Sequence, residues 1–127
     1  MLVSAAIADG PPRRVLELIG AGAAELVLPA PVMGELQTVL GDKLGVSAGA
    51  VAAIEGLLRE LASELAEAPA KVPAVSGDRD DDRILAAAVA AGASVLVSGD
   101  TRHLLPLGQH DGMRIVKPQT FLAEALA

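Results

Sequence analysis

The stretch GDRDDDRILAAAVAAGASVLVSGD, residues 77–100, decides how the chain is read. Within it, DDRILAAAVAAG (81–92) predicts a helix, since alanine and unbranched residues favour that state and Gly92 follows its last turn. SVLVS (94–98) predicts a buried strand, apolar on both faces as expected where helices cover both sides of a sheet. The same stretch holds Asp78, Asp80, Asp81, Asp82 and Asp100. An aspartate at a helix start caps it and complements its dipole, and Asp100 in SGDTRH reads as a turn residue. Three adjacent aspartates exceed what a cap needs, however, because like charges repel. They are either a cap and a turn or the wall of a metal site.

Working outward, PPRRVLELIGAG (11–22) predicts a helix with prolines in its first turn and Gly20 and Gly22 at its end. ELVLPA (25–30) reads as a short strand. PVMGELQTVLGDKL (31–44) reads as a second helix weakened by Gly34 and Gly41. Residues 47–68 read as one long amphipathic helix capped by Ser47, with Val51, Ile54, Leu57, Leu58, Leu61 and Leu65 as its stripe. KVPAVS (71–76) is a brief extended stretch, RIVKP (114–118) a strand, and PQTFLAEALA (118–127) a helix opened by Pro118. Strands alternating with helices predict an α/β domain with a largely parallel sheet. The start departs from this pattern: MLVSAAIADG is short, Asp9-Gly10 signals a turn, and no opening strand is expected.

The bulk composition narrows the classes of function. Of 127 residues, 52% are apolar and 20% charged, a globular balance that excludes a disordered chain. That length suits one domain over residues 1–127. Alanine inflates the apolar share, so Leu, Ile and Val are expected to carry the core. No apolar run reaches the roughly 18 residues of a membrane span, and no secretory signal is visible. With no cysteine, a reducing cytoplasm is the expected setting. Ten Lys and Arg against sixteen Asp and Glu, net charge −6, exclude a broad basic face for nucleic acid. Phe121 is the only aromatic residue, so stacking platforms are absent too. A nucleic-acid substrate would have to be held locally, by metal ions and a few arginines.

Ligands of open α/β sheets bind at the carboxyl ends of strands. Asp100 falls just past one such end, and Asp80–Asp82 precede the helix that feeds that strand. Carboxylates grouped without cysteine or paired histidines favour a hard cation, Mg2+ or Mn2+. Such ions polarise a phosphate and make bound water more nucleophilic. Glu35, taken alone, reads as a solvated helix position.

Taken together, these segments resemble the PIN-domain nucleases, specifically the branch of toxin components of toxin–antitoxin systems related to VapC ribonucleases. ELVLPAPVMGELQTVL (25–40) is similar to the family's strand and the helix bearing its second acidic residue, which falls on Glu35. DRDDDRILAAAVAAGA (78–93) is similar to the Asp-rich start of its fourth main helix. The metal-site aspartate there falls on Asp81, with Asp82 the neighbouring candidate. VLVSGDTRHLL (95–105) is similar to the segment carrying the last acidic residue, here Asp100, and RIVKPQTFLAEAL (114–126) to the closing strand and helix. No one motif is specific, but the ordered set is, and it covers nearly the whole chain. The resemblance implies a PIN-like three-layer α/β/α domain and Mg2+- or Mn2+-dependent hydrolysis of RNA phosphodiesters. Glu35, Asp81 and Asp100 are then the catalytic carboxylates, joined by Asp82 in the metal set. It also implies a cognate antitoxin, a homodimer and a cytoplasmic location.

The family usually opens with an apolar strand, then Asp-Thr-Asn, then a stretch like Val-Leu-Val-Ser-Ala. MLVSA (1–5) is similar to the last of these, with Met1 where valine stands. The resemblance therefore implies that the opening strand and its metal aspartate, three residues before Met1, are absent. A GTG valine codon read as an initiator would produce this start. A true truncation would instead leave an inactive PIN-like binding module that engages an antitoxin or its own copy. Arg79, Arg83, Arg102 and His103 either steer substrate phosphates or neutralise the acids. Asp78 reads as loop and His110 as a turn residue. Lys117 invites comparison with phosphoacceptor domains, but the acids such domains need at the first strand are lacking.

Overall fold

In the structure, a computed structural model, residues 3–9 and 12–126 are described. Met1 and Leu2 of the opening stretch, Gly10 and Pro11 before the first helix, and Ala127 at the end of the last lie outside them. A six-stranded sheet runs in the order β3–β2–β1–β4–β6–β5. Its strands are β1 (Val3–Ile7), β2 (Ala24–Pro29), β3 (Ala62–Ala66), β4 (Val95–Val97), β5 (Gln109–His110) and β6 (Met113–Val116). All neighbours pair in parallel except β5 and β6. Those two form a hairpin turned by Asp111 and Gly112, both at positive φ (49° and 82°), which places His110 on β5.

Helices cover both faces, giving the expected three layers. On one face α1 (Arg13–Gly20) and α5 (Pro118–Ala125) bury Val15, Ile19 and Phe121 against Ala5, Ile7, Leu26, Val95 and Val97. On the other lie α2 (Ala30–Leu36), α3 (Ala48–Leu61) and α4 (Arg79–Ala90), with Val32, Leu36, Leu58, Ile84 and Leu85 packed on Ala6, Leu28 and Leu96. Alternate residues of β1 and β4 thus feed opposite cores, as the two-residue period of a strand requires. Leu, Ile and Val carry these cores, but Ala87 and Ala88, each fully buried, belong to the face of α4, which lies close on β2 and β3.

The expected absence of an opening strand is corrected. β1 lies at the sheet centre, paired with β2 from Val3↔Ala24 to Ala6↔Val27 and with β4 from Ala5↔Val95 to Ile7↔Val97. Alanine has little strand propensity of its own. Ala5, Ala6 and Ile7 are buried on both faces, so tertiary packing overrides that weakness.

The long helix is corrected as well. Ser47 caps α3, its hydroxyl accepting from the Ala50 amide at 3.2 Å, but the helix stops at Leu61. Ala62 turns extended (φ −71°, ψ 132°), and the next residues pair with β2 as the edge strand β3. Val51 and Leu58 of the expected stripe are buried, whereas Ile54, Leu57 and Leu65 are 37%, 47% and 42% exposed. Residues 31–44 divide too: α2 continues as a π-helix, Gln37–Lys43, containing Gly41. Residues 71–76 make no strand.

Chain order in the sheet reverses at β1. From β1 the chain moves outward to β2 and β3, while β4, β6 and β5 lie on the other side. Strands diverging this way open a crevice at their carboxyl ends. The candidate site lies there.

Candidate metal centre

Asp9 stands two residues past β1, and Asp100 three past β4. The crevice brings them together. Asp9 Oδ2 accepts from the buried Ser98 hydroxyl at 2.8 Å and from the Gly99 amide at 3.2 Å. The same Ser98 oxygen accepts from the Asp100 amide at 2.9 Å, so one serine ties both aspartates to the end of β4. Asp100 Oδ1 in turn accepts from the amides of Arg102 and His103 at 2.9 and 3.3 Å, the turn that its sequence suggested. Its Oδ2 faces His103.

The start of α4 supplies the next carboxylates. Asp78, read as loop, is the N-cap: its Oδ1 accepts from the Asp81 amide at 3.0 Å. The signal was present in Asp78-x-x-Asp81, which has the spacing of a capping box. Asp81 turns toward Asp100 and His103. Asp82 turns the other way. Its Oδ1 accepts from the amides of Val75 and Ser76 at 3.0 and 2.7 Å and from the Ser76 hydroxyl at 2.7 Å. The carboxylate thereby straps the segment before α4 to the helix. Gly77, at φ +88°, carries the chain between the two beside His103, and any side chain there would be strained.

Glu35 comes from α2 and lines a cleft of about 730 Å³ with Asp78, Asp80, Asp81 and Arg83. A smaller hollow of about 100 Å³ joins Glu35 and Asp9 to Val32, Leu36, Val39 and Leu40. This apolar wall has an electrostatic consequence. Burial first, then the charges of Asp80, Asp78, Asp9 and Asp100, push the Glu35 carboxyl up to about 6. Asp81 rises to about 7, through burial, then its hydrogen bond with Asp100 and the charges of Asp78, Asp100 and Glu35. Asp9 is raised by burial and by Asp100, against the lowering hydrogen bonds of Ser98 and Gly99. Burial opposes ionisation of Asp100 and Asp82 too, but hydrogen bonds outweigh it and hold both below their ordinary value. Asp81 and Asp100 thus act as a pair that holds one proton in common, as adjacent carboxylates do.

His103 Nδ1 lies 3.6 Å from Asp81 Oδ2 and 3.6 Å from Asp100 Oδ2. Asp78, Asp81 and His103 each offer a donor atom within 4.8 Å of the others, close enough to share one ion. Among the described residues, the ion pairs of arginine are Arg13–Glu17 and Arg114–Glu124. Arg79, Arg83 and Arg102 therefore do not neutralise the acids by direct pairing.

The structure brings Glu35, Asp81 and Asp100 to one crevice and turns Asp82 away from it. Asp9 is the carboxylate that sequence reading missed. Its signal was a run, Val3–Ile7, ending two residues before an acid, but its three small residues, Ser4, Ala5 and Ala6, hid the strand. The donors are carboxylate oxygens with one imidazole nitrogen, a set that fits Mg2+ or Mn2+. No helix of the described residues is long and apolar enough to cross a membrane. A family model for the PIN domain matches residues 1–102, a span that includes every one of these carboxylates. A search of curated proteins finds no match to the chain.

Proposed function

From the premise that this chain belongs to the PIN-domain family, we propose that it is a metal-dependent ribonuclease whose cation is held by Asp9, Glu35, Asp81 and Asp100. The carrying observation is the convergence of four carboxylates, from the ends of β1 and β4 and from α2 and α4, on one crevice. Burial first, and then repulsion between like charges so placed, raises the Glu35 and Asp81 carboxyls. A divalent cation offsets that repulsion. When bound, it polarises the phosphodiester and lowers the pKa of water beside it.

The chain's own residues hold the geometry. Ser98 and the Gly99 amide orient Asp9, and the amides of Arg102 and His103 fix one oxygen of Asp100 and leave the other facing His103 beside Asp81. Asp82 is assigned to positioning α4 rather than to the metal set, because its Oδ1 already accepts three hydrogen bonds. Asp9 takes the place that the resemblance gave to an aspartate before Met1.

Within this reading the chain is one domain and acts as the toxin of a toxin–antitoxin pair. The resemblance of the segments around Glu35, Asp81 and Asp100 supports that assignment. Exposed Ile54, Leu57 and Leu65 supply apolar surface for a homodimer.

The test is RNA cleavage with and without a chelator. Wild type should cleave in Mg2+ or Mn2+ and fall silent with chelator. Glu35→Gln and Asp100→Asn should each lose about 100-fold or more. Chelator-resistant cleavage, or wild-type activity in both variants, contradicts the proposal. A second reading is favoured by His103, whose ring nitrogen lies between Asp81 and Asp100 where a cation would sit. The chain would then be an inactive binding module. Silence in every assay, together with no metal binding by calorimetry, selects it.

A further inference from the structure

We propose that the hollow beside the acid cleft is a second substrate subsite, taking the nucleotide next to the scissile phosphate of single-stranded RNA, with Arg79 and Arg83 on its phosphates. The inference rests on the ribonuclease reading and adds where the strand runs. This hollow encloses about 740 Å³ between residues 68–77 and the first turns of α4. It adjoins the acid cleft of about 730 Å³, and Arg83 lines both. Arg79 lines the second hollow only.

Four residues apart on α4, the two side chains share one helix face and are separated by about one turn. Both are exposed, and neither is among the ion pairs of the described residues. Among the described residues they are also the only cations on the walls of the two clefts. In a chain of net charge −6, a polyanion is drawn only where such local cations stand free. A guanidinium presents a planar fork of donors that matches a phosphate.

The rest of the wall fits a nucleoside. Pro69, Val72 and Ala74 give an apolar surface for a base or sugar edge. Asp82 also borders the hollow, but its Oδ1 is turned onto Val75 and Ser76, so the strap takes up much of its charge. With no aromatic platform in the wall, recognition is tolerant of base identity and sensitive to salt.

The experiment measures anisotropy of a labelled short oligouridylate in chelator, across a salt series. It compares wild type, Arg79→Ala, Arg83→Ala, Arg83→Lys and, as a distant control, Arg13→Ala. Each alanine variant should bind about tenfold more weakly and flatten the salt slope by about 0.7. Arg83→Lys should recover the slope but only part of the affinity, since lysine lacks the fork. Arg13→Ala should match wild type. Oligouridylate bound by the alanine variants as by wild type, or by none of these proteins, overturns the subsite. Failure of the ribonuclease reading shows separately, as loss of divalent-metal binding by wild type in calorimetry.

Discussion

Neighbouring positions on an α-helix point about 100° apart, so Asp81 and Asp82 meet different surroundings although they adjoin in sequence. Asp82 is 7% exposed and accepts three hydrogen bonds from Val75 and Ser76. Asp82→Ala strands those part-buried donors and should lower stability by about 2 kcal/mol in urea unfolding. Asp81→Asn removes a charge that sits among Asp78, Asp100 and Glu35, so without metal near neutral pH it should leave stability unchanged or raised. Were Asp82→Ala to spare stability and abolish metal binding, the assignments of the two would be exchanged. The DDD triplet offered both residues as metal ligands. Only the path of the loop at residues 75–76, which no local pattern specifies, separates strap from site.

At the scale of elements, α3 carries a sharp contrast. Leu58 is 1% exposed and Leu57 on the same helix 47%. Leu58→Ala should cost about 2–5 kcal/mol, and Leu57→Ala under about 0.5 kcal/mol, by urea unfolding of dilute protein. Equal losses would put Leu57 in the core and contradict the end of the helix at Leu61. The elements legible in the sequence were those with local signals. Prolines opened α1 and α5, Gly92 closed α4, and VLV marked β4 as a strand buried on both faces. Apart from the two-residue β5, the missed strands were β1 and β3, VSAAI and ASELA, whose alanines read as helix or as nothing. Pairing beside β2 makes them strands, and pairing is a long-range property. One carboxylate of the four went with them: Glu35, Asp81 and Asp100 belong to legible segments, while Asp9 depends on β1.

For the whole molecule, folding gathers like charge at one crevice of an already acidic chain, and stability must answer to pH. Asp82 and Asp100 are held below their ordinary value, so the stability they contribute is present above about pH 4 and lost as pH falls. Glu35 and Asp81, raised to about 6 and about 7, act in the opposite sense. Their folded forms hold protons that the unfolded chain releases. The stability they lend is full below about pH 4 and drains away as pH rises through 6 and 7. A cation that binds only the folded state restores it, and competes best where the protons have left. The most direct measurement is therefore thermal unfolding at about pH 5 and about pH 8, with and without Mn2+, for wild type and Asp9→Asn. The metal-free wild type should melt lower at the higher pH. Mn2+ should raise that melting point strongly, do little at the lower pH, and act weakly on Asp9→Asn. A melting point indifferent to Mn2+ at both pH values, or an Asp9→Asn response equal to wild type, would contradict a metal centre built on Asp9, Glu35, Asp81 and Asp100.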